Sequence, residues 1–211
     1  MNDPMLVRAV NVVEPPVGVR GYVRVKYDGK PYWEGPNLVT NAGLAYCAKL
    51  LAGVAKVQAI QPPSPADLYE TVDSILIGNG GADTSISFPT GLENTPTVPV
   101  PPTRPDTALV AQISGTDLEE AGAVQSGNTV IFNQLFQADL LTEQDFPAYD
   151  AGSSPPGTSG ALALFVSEFG LYVSAPLSTN SALFARVCVP AMAFAPSSGH
   201  TIAVEWTVGY F

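Results

Sequence analysis

The clearest pattern lies near the C-terminus. Residues 201–210 place Ile202, Val204, Trp206, Val208 and Tyr210 on one face of an extended chain and Thr201, Ala203, Glu205 and Thr207 on the other. That two-residue period is the mark of a half-buried strand. Val23, Val25 and Tyr27 alternate with Arg24 and Lys26 in the same way, so residues 20–27 predict a strand with a basic outer face. Asp28-Gly29 is a hairpin turn signal, and Tyr32 and Trp33 begin a return strand. Ile75-Leu76-Ile77 predicts a short buried strand closed by Gly78-Asn79-Gly80-Gly81, read as a strand-ending turn in which glycine supplies positive φ. Residues 107–113, 129–138, 161–174 (with a bend at Gly170) and 182–189 predict four more strands. One helix is expected near 41–54. Leu44, Cys47, Ala48 and Leu51 make its apolar stripe, with Leu50 and Val54 beside it. Thr40 or Asn41 caps its start and Gly53 helps end it.

Residues 1–19 contain Pro4, Pro15 and Pro16 and show no period. They read as an N-terminal arm that orders only against something else. Residues 20–211 read as a single domain. Three stretches, 58–73, 82–106 and 142–160, are rich in proline and read as long loops, which in a compact domain are functional or contact a partner. Short strands, turns and one helix predict a mainly β fold, an antiparallel β-sandwich, jelly-roll-like, with one short α-helix and long Pro-rich loops.

Composition narrows the function. The chain has 211 residues, of which 46% are apolar and 13% charged. That is enough to bury a core without disulfide staples and unlike a disordered chain. No apolar run reaches the roughly 18 residues of a membrane span, and residues 1–10 lack the apolar core of a signal peptide. The net charge of −10 argues against nucleic acid as a partner, because phosphates require a basic surface. The charge is uneven. Residues 1–60 carry seven basic and four acidic side chains, a net of +3, and residues 61–211 carry two and fifteen, a net of −13. A molecule with two signs can dock its basic part on an acidic partner.

Candidate chemistry is sparse. His200, the only histidine, sits in a turn, and no Gly-x-Ser-x-Gly elbow accompanies it. Cys47 and Cys188 read as buried free thiols; a disulfide between them would need an oxidising compartment. The glycines at 78–81 lack the following helix and lysine of a phosphate loop. Asp139, Glu143, Asp145 and Asp150 lack the spacing of a calcium loop and read as a solvated acidic stretch. Glu119-Glu120 has no assignable role. Tyr32, Trp33, Tyr69 and Tyr149 could stack on sugars, with packing the favoured reading. These observations predict no catalytic residues, no cofactor and no metal. Glu168 and Arg186 stand apart, because each interrupts an apolar strand. If the strands are neighbours, the two charges pair across them and help set register.

Six ordered blocks carry a resemblance: Asn37-Leu38-Val39-Thr40-Asn41-Ala42-Gly43-Leu44, Ile75-Leu76-Ile77-Gly78-Asn79-Gly80, Asp106-Thr107-Ala108-Leu109, Ser167-Glu168-Phe169-Gly170-Leu171-Tyr172, Leu183-Phe184-Ala185-Arg186-Val187 and Val204-Glu205-Trp206-Thr207-Val208. From about residue 37 to the end, the chain resembles a family of tailed-bacteriophage virion structural proteins. The resemblance implies a non-enzymatic part of the particle, assembled in the bacterial host cytoplasm. A self-associating capsid decoration or cement protein, plausibly a trimer, suits the acidic chain and its arm. A tail, collar, baseplate or fibre-base role is the alternative, and a receptor- or carbohydrate-binding module a further one. The expected partners are other copies of the chain and other virion proteins, with neither nucleic acid nor membrane.

Overall fold

A computed structural model describes residues 7–8, 18–51, 71–81, 99, 101–106, 108–113, 122–146, 164–174 and 182–210. The period-2 segments form strands β2 (Val19–Tyr27) and β9 (Thr201–Tyr210), the return strand from the turn forms β3 (Lys30–Val39), and the segment at 129–138 forms β6 (Thr129–Gln137). The apolar segments form β4 (Thr71–Gly78), β7 (Phe165–Ser174) and β8 (Ala182–Ala193). Two further strands complete the set, β1 (Val7–Arg8) and β5 (Gly122–Ser126). The fold is mainly β, an antiparallel sheet in the order β4-β7-β8-β3-β2-β9-β6-β5 that curls into a half-barrel. β1 adds to β3 in parallel through Val7↔Trp33 and Arg8↔Glu34.

The curl follows from a short joint. β3 pairs with β8 only through Leu38↔Arg186 and Val39↔Ala185. The free edge of β3 at Trp33 and Glu34 is taken by β1 instead. The two arms of the sheet therefore diverge and share a core: Trp33, Phe132 and Trp206 from one arm join Phe169, Val187 and Met192 from the other. The Tyr27 and Tyr32 hydroxyls bridge the arms by donating to the carbonyls of Ala193 (2.8 Å) and Ala191 (3.1 Å). β8 is buried from Leu183 to Ala191 and at Met192. One face meets the main core, and the other joins Leu76, Leu109 and Tyr172 in a small second cluster through Leu183. Burial on both faces explains why this strand reads as a continuous apolar run. The β2–β3 turn has Asp28 at φ 50° and Gly29 at φ 74°, the positive pair that a two-residue hairpin requires.

Three expectations are corrected. Helix α1 (Asn41–Leu51) forms, but it buries Gly43, Tyr46 and Cys47, while Leu44 and Ala48 of the expected stripe, and Leu50 beside it, are exposed. The reason is contact at Gly43, where a Cβ would lie 2.2 Å from the Phe184 carbonyl oxygen. This close approach turns the Gly43–Tyr46 side of the helix onto β8. Thr40 is the cap, accepting from the Gly43 amide at 3.1 Å while its hydroxyl donates to the Leu183 carbonyl. Second, described residues 108–113 make no strand; their pairing is a single bridge, Gly78↔Gln112. Third, residues 71–73 belong to β4 rather than to a loop. Most of the expected N-terminal arm, the proline-rich stretches 58–70, 82–98 and 147–160, and helix positions 52–54 lie outside the described residues.

Replacing Gly43 with alanine should destabilise the protein by about 1–3 kcal/mol, because the added methyl meets backbone that cannot swing away. Leu44→Ser, on the exposed side, should change stability by less than about 0.5 kcal/mol. Denaturant unfolding of both variants checks the orientation of the helix, and a reversed ranking would refute it.

Candidate functional site: a buried carboxylate latch

Glu168 and Arg186 meet. In the β7–β8 register Glu168 faces Cys188 and Arg186 faces Gly170, so the two charges are diagonal neighbours on one face of the sheet. The Glu168 side chain is fully buried and that of Arg186 is 5% exposed. Arg186 donates to Glu168 Oε2 from Nη2 at 2.6 Å and from Nε at 3.0 Å. Its third contact runs from Nη1 to Asp106 Oδ2 at 2.8 Å.

The remaining acceptor capacity of Glu168 is filled by backbone. Oε1 accepts from the amides of Ala111 (2.9 Å) and Gly80 (3.1 Å), and Oε2 from the amide of Val110 (3.2 Å). This is why residues 108–111 are not a strand: their amides bind side chains of β7 instead of a neighbouring strand. The Leu109 amide continues the pattern, donating to the Tyr172 hydroxyl at 3.0 Å. Backbone bonds from Asn79 to Ala111 and from Ile113 to Ile77, each 2.9 Å, fasten the segment to the end of β4.

Glycines make this approach possible. A Cβ on Gly80 would lie 2.6 Å from Val110 Cβ, one on Gly78 2.6 Å from the Ala111 carbonyl oxygen, and one on Gly81 2.2 Å from the Ser167 carbonyl oxygen. None of these three has positive φ. The turn reading of residues 78–81 therefore stands corrected in its reason: glycine is needed for close packing, not for a left-handed backbone. The Gly81 amide completes the corner by donating to Ser167 Oγ at 2.9 Å.

Asp106, which the residue pattern alone did not single out, anchors the other side of Arg186. It also accepts from the Thr103 amide (2.9 Å) and the Thr103 hydroxyl. Burial pushes its pKa up, but the Thr103 hydrogen bonds and the Arg186 guanidinium outweigh this and hold it below the ordinary aspartate value. Burial likewise opposes the charge on Arg186. The negative groups around it, Cys188 when ionised, Glu168 and Asp106, prevail and hold its pKa above the usual arginine value. Burial pushes the Cys188 thiol up to about 12, so it is neutral at ordinary pH and a poor nucleophile. Burial also raises the Tyr172 phenol, held by the Leu109 amide.

The other candidates lie elsewhere. His200 Nδ1 is 2.9 Å from Asp28 Oδ2 at the opposite, exposed hairpin turn, stacked near Tyr27. The Asp28 side chain also accepts the Thr201 amide. Cys47 and Cys188 are buried free thiols. Trp33 is 4% exposed and Tyr32 is half-buried and bonded to backbone, so neither presents a free stacking face. Tyr69, Tyr149, Glu119, Glu120 and Asp150 fall outside the described residues. Asp139 accepts the Gly199 amide and Asp145 caps Thr142. Among the described residues no group of three metal-ligating side chains converges, and no helix is long and apolar enough to cross a membrane. No protein-family profile, curated protein or solved structure matches the chain.

Arg186→Met leaves a buried carboxylate without its counter-charge and should cost about 3–5 kcal/mol. Combined with Glu168→Gln, the loss should fall short of the sum by on the order of 1–3 kcal/mol. Reversible melts of the two single variants and the double variant measure this coupling; additivity within about 0.3 kcal/mol would show that the pair is not a unit.

Proposed function

We propose that this chain is a non-enzymatic structural component of a tailed-bacteriophage virion, a capsid decoration or cement protein that self-associates on the particle exterior. In this reading the curled sheet is a jelly-roll-like β-sandwich that serves as a rigid body. One observation carries it. Five of the six blocks that resemble virion proteins converge on the latch. Glu168 and Tyr172 come from one block and Arg186 from another. Asp106 and Leu109 come from a third, and Gly80 from a fourth. The fifth, through Thr40, bonds the Leu183 and Phe184 carbonyls beside Arg186.

The residues of these blocks are therefore ones that hold strands and connecting segments together, as a structural protein requires. Glu168 is surrounded by five donors, so its carboxylate has no free lone pair with which to serve as a base. A chain with a net charge of −10 suits a protein laid over a shell.

Mass spectrometry and immunogold electron microscopy of particles purified from the organism that encodes the chain test this. Labelling over the capsid exterior is expected. Labelling of the tail or collar alone would move the protein to that part of the particle, and absence from purified particles would overturn the virion reading.

A further inference from the structure

The outer face of the sheet and the turn after β6 are opposite in charge and alike in carrying exposed apolar side chains. On β2, Arg20, Tyr22, Arg24 and Lys26 share the face turned away from the core. Tyr22 is 39% exposed, and Arg24 lies over its ring at 5.8 Å. The register extends this stripe across β9 and β6. Thr207 lies between Tyr22 and Ile131, and Ala203 lies between Lys26 and Leu135, with Leu135 half exposed. Glu205, paired with Arg24 at 2.7 Å, and Glu34 are the carboxylates that share this face. The result is a cation-bearing surface on which the Tyr22–Thr207–Ile131 and Lys26–Ala203–Leu135 rows flank a central polar row, Arg24–Glu205–Asn133.

The turn at residues 138–146 is the counterpart. Its sequence, Ala-Asp-Leu-Leu-Thr-Glu-Gln-Asp-Phe, has three acids and no base. Ala138, Leu141 and Phe146 root it in the core. Asp145 fixes its second 3-10 turn by accepting the Thr142 amide and hydroxyl, and Asp139 ties it to Gly199 at 2.9 Å. Leu140 projects from this fixed base with 71% of its surface exposed, and Glu143 beside it is exposed as well. A knob held in place loses little conformational freedom when it docks.

We propose that the acid-edged Leu140 knob of one copy seats on the cation-bearing Tyr22–Leu135 face of a second copy. The contact joins two different patches: made reciprocally about a two-fold axis it closes a dimer, and made head-to-tail it propagates. Repeated head-to-tail, it closes into a ring such as a trimer or continues as an array. Opposite charges select this pairing, and knob-to-knob or face-to-face encounters place like charges together. The inference rests on the self-association part of the function proposed above and is independent of any particle.

Sedimentation of the full-length chain over a range of concentrations tests it, with Lys26→Glu, Glu143→Lys, their double variant, and Leu140→Ser. Each single charge reversal should weaken self-association on the order of tenfold. The double reversal in one chain, and an equimolar mixture of the two single variants, should restore it. Leu140→Ser should weaken it without altering the melting curve. Association that ignores all of these changes would place the interface elsewhere and overturn this contact while leaving self-association standing. A chain that is monomeric throughout would overturn both, and the particle location would still be decided by microscopy.

Discussion

A carboxylate at zero exposure is the constraint around which this protein is organised. Removing an ionised Glu168 from water carries a cost of several kcal/mol unless charge and hydrogen bonds replace the lost solvent. Arg186 supplies the charge, and the amides of Gly80, Val110 and Ala111 supply the rest. The donors come from three different places in the chain. To satisfy one side chain, β8 must lie beside β7 in one register, the end of β4 must pass close by, and residues 110–111 must turn their amides onto it. At the two register shifts, opposite Val166–Glu168 and Leu171–Tyr172, the extra residues lie in β8, which is where the pairing adjusts to this demand.

The same contacts leave the polar groups of the cluster already engaged with one another and with the backbone. Glu168 is surrounded by donors, Arg186 spends its three nitrogens on two carboxylates, and Cys188 beside them is kept as a thiol by burial. The cluster binds a segment of its own chain much as a receptor binds a peptide, with a carboxylate reading successive amides. Its neighbours extend the hold: Thr40 joins the helix start to β8, and the Arg104 carbonyl accepts the Asn41 amide at 2.8 Å. The outer face of β2, β9 and β6 and the acidic turn at 138–146 are presented by this frame.

Much of the frame was legible because half-buried antiparallel strands alternate strictly. β2 and β9 each declare their buried face in sequence, and Asp28-Gly29 declares the turn. The charges at 168 and 186 were legible as a pair because each interrupts an otherwise apolar strand. Asp106 was not, since nothing local distinguishes an aspartate that reaches a buried arginine from one in a solvated loop. The segment at 108–113 looked like a strand because it is extended and apolar, and only its partners show that side-chain acceptors replace a neighbouring strand. The helix face was misread because Leu44 and Leu50 outrank Gly43 on any apolar scale, whereas the Phe184 carbonyl selects the residue without a side chain. β5, with Gly122, Ala123 and Val124 exposed at the sheet edge, has too little pattern to be seen at all.

The central claim is that backbone amides outside the regular strands are held by one buried carboxylate. Hydrogen exchange resolved by residue measures this most directly. Val110 is the decisive position, because its side chain is 70% exposed while its amide points to Glu168 Oε2. The account predicts that the amides of Gly80, Val110 and Ala111 exchange as slowly as those within β7 and β8, opening only when the latch itself opens. Exchange at the rate of an exposed loop at these three positions would contradict it.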